Sequence, residues 1–134
     1  MKRAALLGLL LLAGARASCA GETLEIRVID TEGGKAVLVI TPAGESVLVD
    51  AGYPRADDRD TRRIVAAARA EGLERLDMVV ATHYDLDHSG NVARVEGQLP
   101  ARLFVDHGTP MPDGVGTEPL RTYLNAVGGR ARLS

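Results

Sequence analysis

Apolar and polar residues alternate through "TLEIRVID": Leu24, Ile26 and Val28 fall on one face, Glu25 and Arg27 on the other. Period-two alternation predicts a half-buried β-strand. "TEGGK" then supplies the glycines of a tight connection, "AVLVI" a second strand, "TPAGE" a turn with Pro42 and Gly44, and "SVLVD" a third strand. The three read as an antiparallel meander. "EGGK" also has the look of a phosphate loop, but no helix follows it and the Gly-Lys-Ser/Thr ending is missing. The hairpin reading is preferred.

The pattern changes after the charged, turn-rich loop "AGYPRADDRD". Ile64, Ala67, Ala68 and Glu71 fall at helical spacing in "TRRIVAAARAE", with Asp60 placed to cap the start and Gly72 to end it. "LDMVVAT" is almost continuously apolar, as an inner strand covered on both faces should be. Strand, helix, strand makes a βαβ unit, so its two strands are expected to be parallel neighbours. "GNVARVEG" predicts a short helix and "ARLFVDHG" another inner strand. Thr117 is placed to cap a final helix, with Pro119 in its first turn and Gly128 closing it. "GGRARLS" then resembles the opening of a further strand. No internal repeat or low-complexity tract is present. The fold class is α/β, a meander followed by βαβ.

The first twenty of the 134 residues do not fit this scheme. "MKRAALLGLLLLAGARASCA" begins with Lys2 and Arg3, continues with a short apolar run and ends in small residues. That is the pattern of a secretory signal peptide, with cleavage after Ala17 or Ala20. The run is shorter than the about twenty residues of a membrane-spanning helix. Residues 1–20 are therefore expected to be removed on export to the periplasm or the extracellular space, leaving one domain over residues 21–134. Cys19 is the single cysteine, so no disulfide framework exists. Arg16 stands where a lipidated cysteine usually has an aliphatic residue before it, which disfavours lipidation of Cys19. Loss of three of the 16 basic residues and none of the 18 acidic ones leaves 13 against 18, a net charge of −5. An acidic surface disfavours nonspecific binding to polyanions, and no specific nucleic-acid-binding signal is present.

Candidate chemistry concentrates in "ATHYDLDHSGN", residues 81–91, directly after the inner strand. Two of the three histidines sit here, interleaved with carboxylates: His83, Asp85, Asp87 and His88. Ligands of α/β sheets bind beyond the carboxyl ends of the strands, and residues 50–52 ("DAG") and 106–108 ("DHG") end two other strands in the same way. Imidazole nitrogens and carboxylate oxygens both suit zinc, manganese or iron. In an irregular loop, residues two apart can converge on one ion while Asp87 and His88 turn toward a second. Without a cation, four titratable groups this close repel or desolvate one another. Gly90 would let the chain turn sharply into the next helix. The alternative is a solvated polar turn with a capping aspartate.

"THYDLDHSGN" resembles the H-x-H-x-D-H-x-G signature of the metallo-β-lactamase-fold hydrolases. Upstream, "VIDTEGGKAVLVITPAGESVLVDAGYP" is similar to the opening meander of the branch related to the hydrolase domain of the competence protein ComEC, and "FVDHG" continues the likeness. The resemblance implies an αβ/βα sandwich of two similar halves and metal-dependent hydrolysis with one or two divalent ions. His83 and Asp85 would bind the first ion, Asp87 and His88 the second. A hydroxide held between the ions would attack a phosphodiester, lactone, thioester or lactam, with Asp87 as the catalytic residue orienting it. Asp85 replaces the signature's second histidine, as in the ComEC-type arrangement, which shifts the expected metal from zinc toward manganese.

The third histidine, the bridging aspartate and the last histidine of the family pattern find no match. The chain is accordingly expected to be the N-terminal half of the sandwich. The alternative function is a non-catalytic fragment without a complete metal site. His107 is open to ligation or to an ordinary strand-end role. Asp50 and Tyr53 are open to supporting the ligands or to ordinary turn roles. A half-sandwich would expose an apolar sheet face supplied by Leu24 to Val28, Val37 to Val49 and Met78 to Val80, which predicts self-association.

Overall fold

The computed structural model describes residues 23–108 and 117–134. The expected signal segment, residues 1–20, lies outside them. Among the described residues six strands form one sheet in the order of the chain: β1 (Glu25–Val28), β2 (Val37–Ile40), β3 (Ser46–Val49), β4 (Leu76–Val80), β5 (Ala101–Val105) and β6 (Ala131–Leu133). β1, β2 and β3 are antiparallel neighbours, and β3 through β6 run parallel. The meander, the βαβ unit and the strand at "RARLS" are thus as the residue pattern predicts.

Among the described residues four helices connect the strands: α1 (Arg59–Ala70), α2 (Leu86–Ser89), α3 (Val92–Glu96) and α4 (Thr117–Val127). α1 ends as expected, with Gly72 at φ 75° and its N–H donated to the Arg69 carbonyl. Its start differs. Asp58 is the capping residue, and Asp60 is the second residue of the helix, fully buried. From the first turn of α1 it accepts hydrogen bonds from the backbone N–H groups of Glu32 and Tyr53, each at 3.2 Å. An aspartate that close to a helix start reads as a cap from spacing alone, yet its carboxylate serves the loops above the sheet instead. α4 begins at Thr117, whose side chain is outside the described residues, and closes at Gly128 with φ 56°.

Strand register sorts the side chains into two faces. Leu38, Leu48, Val79 and Phe104 pair across neighbouring strands as one buried rung. Ile64, Val65 and Ala68 of α1, Val92 and Val95 of α3, and Tyr123 and Val127 of α4 join them in one core. The opposite face carries Ile26, Val39, Val47, Met78 and Leu103 in register, with Val28, Val37, Val49, Val80 and Val105 beside them. These residues are apolar, yet they are exposed or only half-buried. β4 is therefore inner in position but covered on one face. β1 is not half-buried as its alternation suggests: Leu24, Ile26 and Val28 are 54%, 61% and 80% exposed. Among the described residues, no helix is long and apolar enough to cross a membrane.

Candidate metal centre

The signature segment leaves β4 at Ala81 and folds into α2, one helical turn rather than an irregular loop. Asp85 takes the position before the first helical residue, with extended backbone (φ −60°, ψ 147°). His88 and Ser89 N–H groups donate to the Asp85 carbonyl at 3.0 and 2.9 Å, and Ser89 Oγ donates to the Tyr84 carbonyl at 2.9 Å. Gly90 keeps an ordinary helical φ of −62°, so no sharp turn depends on it. Its smallness matters because an added Cβ would overlap the Pro54 ring.

One ligand atom from each of His83, Asp87 and His88 lies within 4.8 Å of the others. The two imidazole rings have centroids 3.8 Å apart at 46°. His88 Nε2 is 3.5 Å from Asp87 Oδ2. Asp85 stands at the margin of this group: its Oδ2 is 3.6 Å from His83 Nε2, its side chain is 57% exposed, and it is not one of the three clustered donors. Two imidazole nitrogens and a carboxylate oxygen at this spacing suit a divalent ion such as zinc or manganese.

Beneath the cluster lies Asp50, fully buried and held at φ 60° in the left-handed region. A non-glycine residue there is uncommon, and such strain persists where surrounding structure over-determines it. Three donors do so. Thr82 donates its N–H at 2.9 Å and its hydroxyl at 2.8–2.9 Å, and His88 Nδ1 lies 2.8 Å from Asp50 Oδ2. A carboxylate only accepts, so His88 carries its proton on Nδ1 and leaves the Nε2 lone pair free. The same bookkeeping extends to His83. The single Thr82 hydroxyl proton goes to Asp50, so Thr82 Oγ1 accepts from His83 Nδ1 at 3.0 Å. Asp50 thus orients both histidines, one directly and one through Thr82. Tyr53 contributes main chain only: its carbonyl accepts from Asn91 Nδ2 at 2.7 Å, while its ring lies under Arg55.

The third polar strand end builds something else. Asp106 is buried and accepts from the Tyr84 and Tyr123 hydroxyls at 2.9 and 3.0 Å, and from Arg132 through both Nε and Nη2. Burial pulls its carboxyl upward, but the Arg132 guanidinium and the Gly108 N–H prevail and hold it well below the usual carboxylate range. Burial, and then Asp106, push the Tyr84 phenol up. His107 is exposed, its ring 4.5 Å from that of Tyr84, and outside the donor cluster. Tyr84 therefore ties the histidine-bearing turn to the end of β5.

Thr82, Tyr84, Asp106 and Arg132 carry parts of this architecture that sequence spacing does not assign. Thr82 and Tyr84 flank His83 and were within reach of such an assignment. Arg132, 26 residues from Asp106, left no local signal.

Residues 30–116 match the sequence model of the metallo-beta-lactamase superfamily. No curated protein matches. Among solved structures, a HARLDQ-motif mutant of a metallo-β-lactamase from Cronobacter sakazakii shares 27% identity at a TM-score of 0.48, over 60% of this chain and 30% of that one. The Rm3 metallo-β-lactamase shares 28% identity at 0.46, over 58% and 28%. The SMB-1 metallo-β-lactamase, solved with mercaptoacetic acid, shares 22% identity at 0.49, over 67% and 35%. The matched region spans about a third of the length of these proteins. With the family match covering more than half of the chain, the protein belongs to the metallo-beta-lactamase superfamily.

Proposed function

We propose that this chain carries the metal-binding turn of a metal-dependent hydrolase, with His83, Asp87 and His88 as its principal ligands and Asp85 joining from the margin. The observation that carries this reading is the convergence of three donor atoms within 4.8 Å above a buried, strained aspartate that fixes the ring protons. The residues fit the group that the superfamily implies. A divalent ion there would supply Lewis acidity and activate water for attack on a phosphodiester, lactone, thioester or lactam. His83 and His88 would each present Nε2. Asp87 would help hold the ion and orient the attacking water. The ComEC likeness supports a phosphodiester, and Asp85 in place of a histidine supports manganese beside zinc.

Calorimetric titration of the chain with manganese and zinc tests the assignment. Wild type should bind one or two ions, while Asp87→Ala and His83→Ala should lose binding and keep the circular dichroism of the folded sheet. Equal binding by wild type and Asp87→Ala would make the segment an ordinary polar turn. A second reading, a non-catalytic chain without a complete centre, draws support from the count of three clustered donors and from His107 lying apart from them. Export belongs to the same proposal. Mass spectrometry of exported material should find Ser18 or Gly21 at the N-terminus, and retention of Met1 would refute it.

A further inference from the structure

The hairpin between β1 and β2 rests on the candidate metal centre. Lys35 N–H donates to the Asp87 carbonyl at 3.2 Å, and Gly52 N–H donates to the Lys35 carbonyl at 2.9 Å. Beside it, Gly34 is pressed so closely on the same carbonyl that an added Cβ would overlap the Asp87 oxygen. The Lys35 backbone is thus held on both sides against a ligand-bearing turn, while its side chain is exposed.

Lys35 is one of only two lysines among the 16 basic residues, the other being Lys2. The arginines at this end of the sheet are already engaged: Arg55, Arg59, Arg63, Arg94 and Arg132 each contact a carboxylate. Lys35 has no ion pair or side-chain hydrogen bond among the described residues. Its four-carbon stem lets the ammonium swing over the adjoining turn, and a compact point charge with three donors suits a tetrahedral or planar oxyanion. The need for such a charge is local. Asp50, Asp85 and Asp87 crowd the centre with carboxylates, and an anionic substrate approaching them is repelled unless cations offset the field.

We propose that Lys35 is a specificity-determining residue, its ammonium holding the oxyanion of an anionic substrate, a phosphate ester or a carboxylate, beside the His83–Asp87–His88 centre. The inference rests on the hydrolase reading above and narrows its substrate class to anions.

The test separates the two. The full chain and its Lys35→Gln and Lys35→Arg variants are first titrated with manganese, then, metal-loaded, with inorganic phosphate and with acetate at low and high salt. Metal affinity should be equal in all three. At least one of the two anions should bind roughly tenfold more weakly to Lys35→Gln, the loss of one charge-assisted hydrogen bond, with most of the affinity kept by Lys35→Arg. Which anion shows the loss separates phosphate esters from carboxylates as the source. Equal affinity of wild type and Lys35→Gln for both anions overturns the assignment. A parallel loss of metal from Lys35→Gln also overturns it, by making the residue a support of the turn. A wild type that takes up no metal sinks the hydrolase reading and Lys35 with it.

Discussion

Asp50 accepts from Thr82 twice and from His88 once, and these bonds set which ring nitrogen of each histidine is free. Asp50→Asn keeps the size and replaces one acceptor by a donor. The amide would face His88 Nδ1 with N–H, drive the proton to Nε2 and remove the lone pair from the metal side. Metal affinity should fall about 10- to 100-fold with the sheet intact, measured by calorimetry and by the imidazole nitrogen shifts in NMR. Unchanged affinity would return Asp50 to the status of a turn residue. From sequence, the donor-rich segment was legible because its candidate ligands lie within six positions. The role of Asp50 was not, since it rests on a left-handed backbone and a partner 38 residues away. Asp85 is the reverse case: its spacing reads as a ligand, while the helical turn sets it at the edge of the cluster.

The β1–β2 hairpin and α2 behave as one unit, joined through Gly34, Lys35 and the Asp87 carbonyl. Gly34→Ala should lift the hairpin from the turn and weaken metal binding, while Gly33→Ala, which meets nothing within 4 Å but sits at φ 78°, should cost mainly backbone strain. Metal titration beside thermal melting distinguishes them. If both variants bind metal as wild type does, the hairpin does not support the centre. The meander and the βαβ unit were legible because alternation and helical spacing are local properties. α2 was not, being four residues long with no apolar stripe of its own. The double glycine reads in sequence as a turn requirement. Only Gly33 serves that end, and Gly34 serves close approach.

Among the described residues, the packed helices all lie on one face of the six-stranded sheet, and the other face is a field of valine, isoleucine, leucine and methionine side chains. Apolar patches larger than a few hundred Å² rarely stay uncovered on a monomer. The proposal at this scale is that the chain by itself self-associates through that face. Size-exclusion chromatography with light scattering should show mass rising with concentration, and Ile26→Lys with Val28→Lys should lower it, because both residues stand largely exposed at the sheet edge. A wild type that stays monomeric throughout would refute the proposal. The uncovered face was foreseeable from the family likeness. Exposure of the β1 apolar residues follows from that likeness and not from their alternation, which says which side chains share a face and nothing about what covers it.

The bond between Asp106 and Arg132 has a consequence for synthesis on the ribosome. A chain is made from its N-terminus, so β5 and the histidine-bearing turn exist before residue 132 is added. Until then the carboxylate that anchors Tyr84 has no guanidinium opposite it, and burying an uncompensated charge is strongly unfavourable. The end of β5 must therefore stay hydrated while the rest of the sheet is already able to form. The tie from that strand to the histidine-bearing turn closes only with the arrival of β6, so the candidate centre becomes rigid only after β1 to β5 have been made.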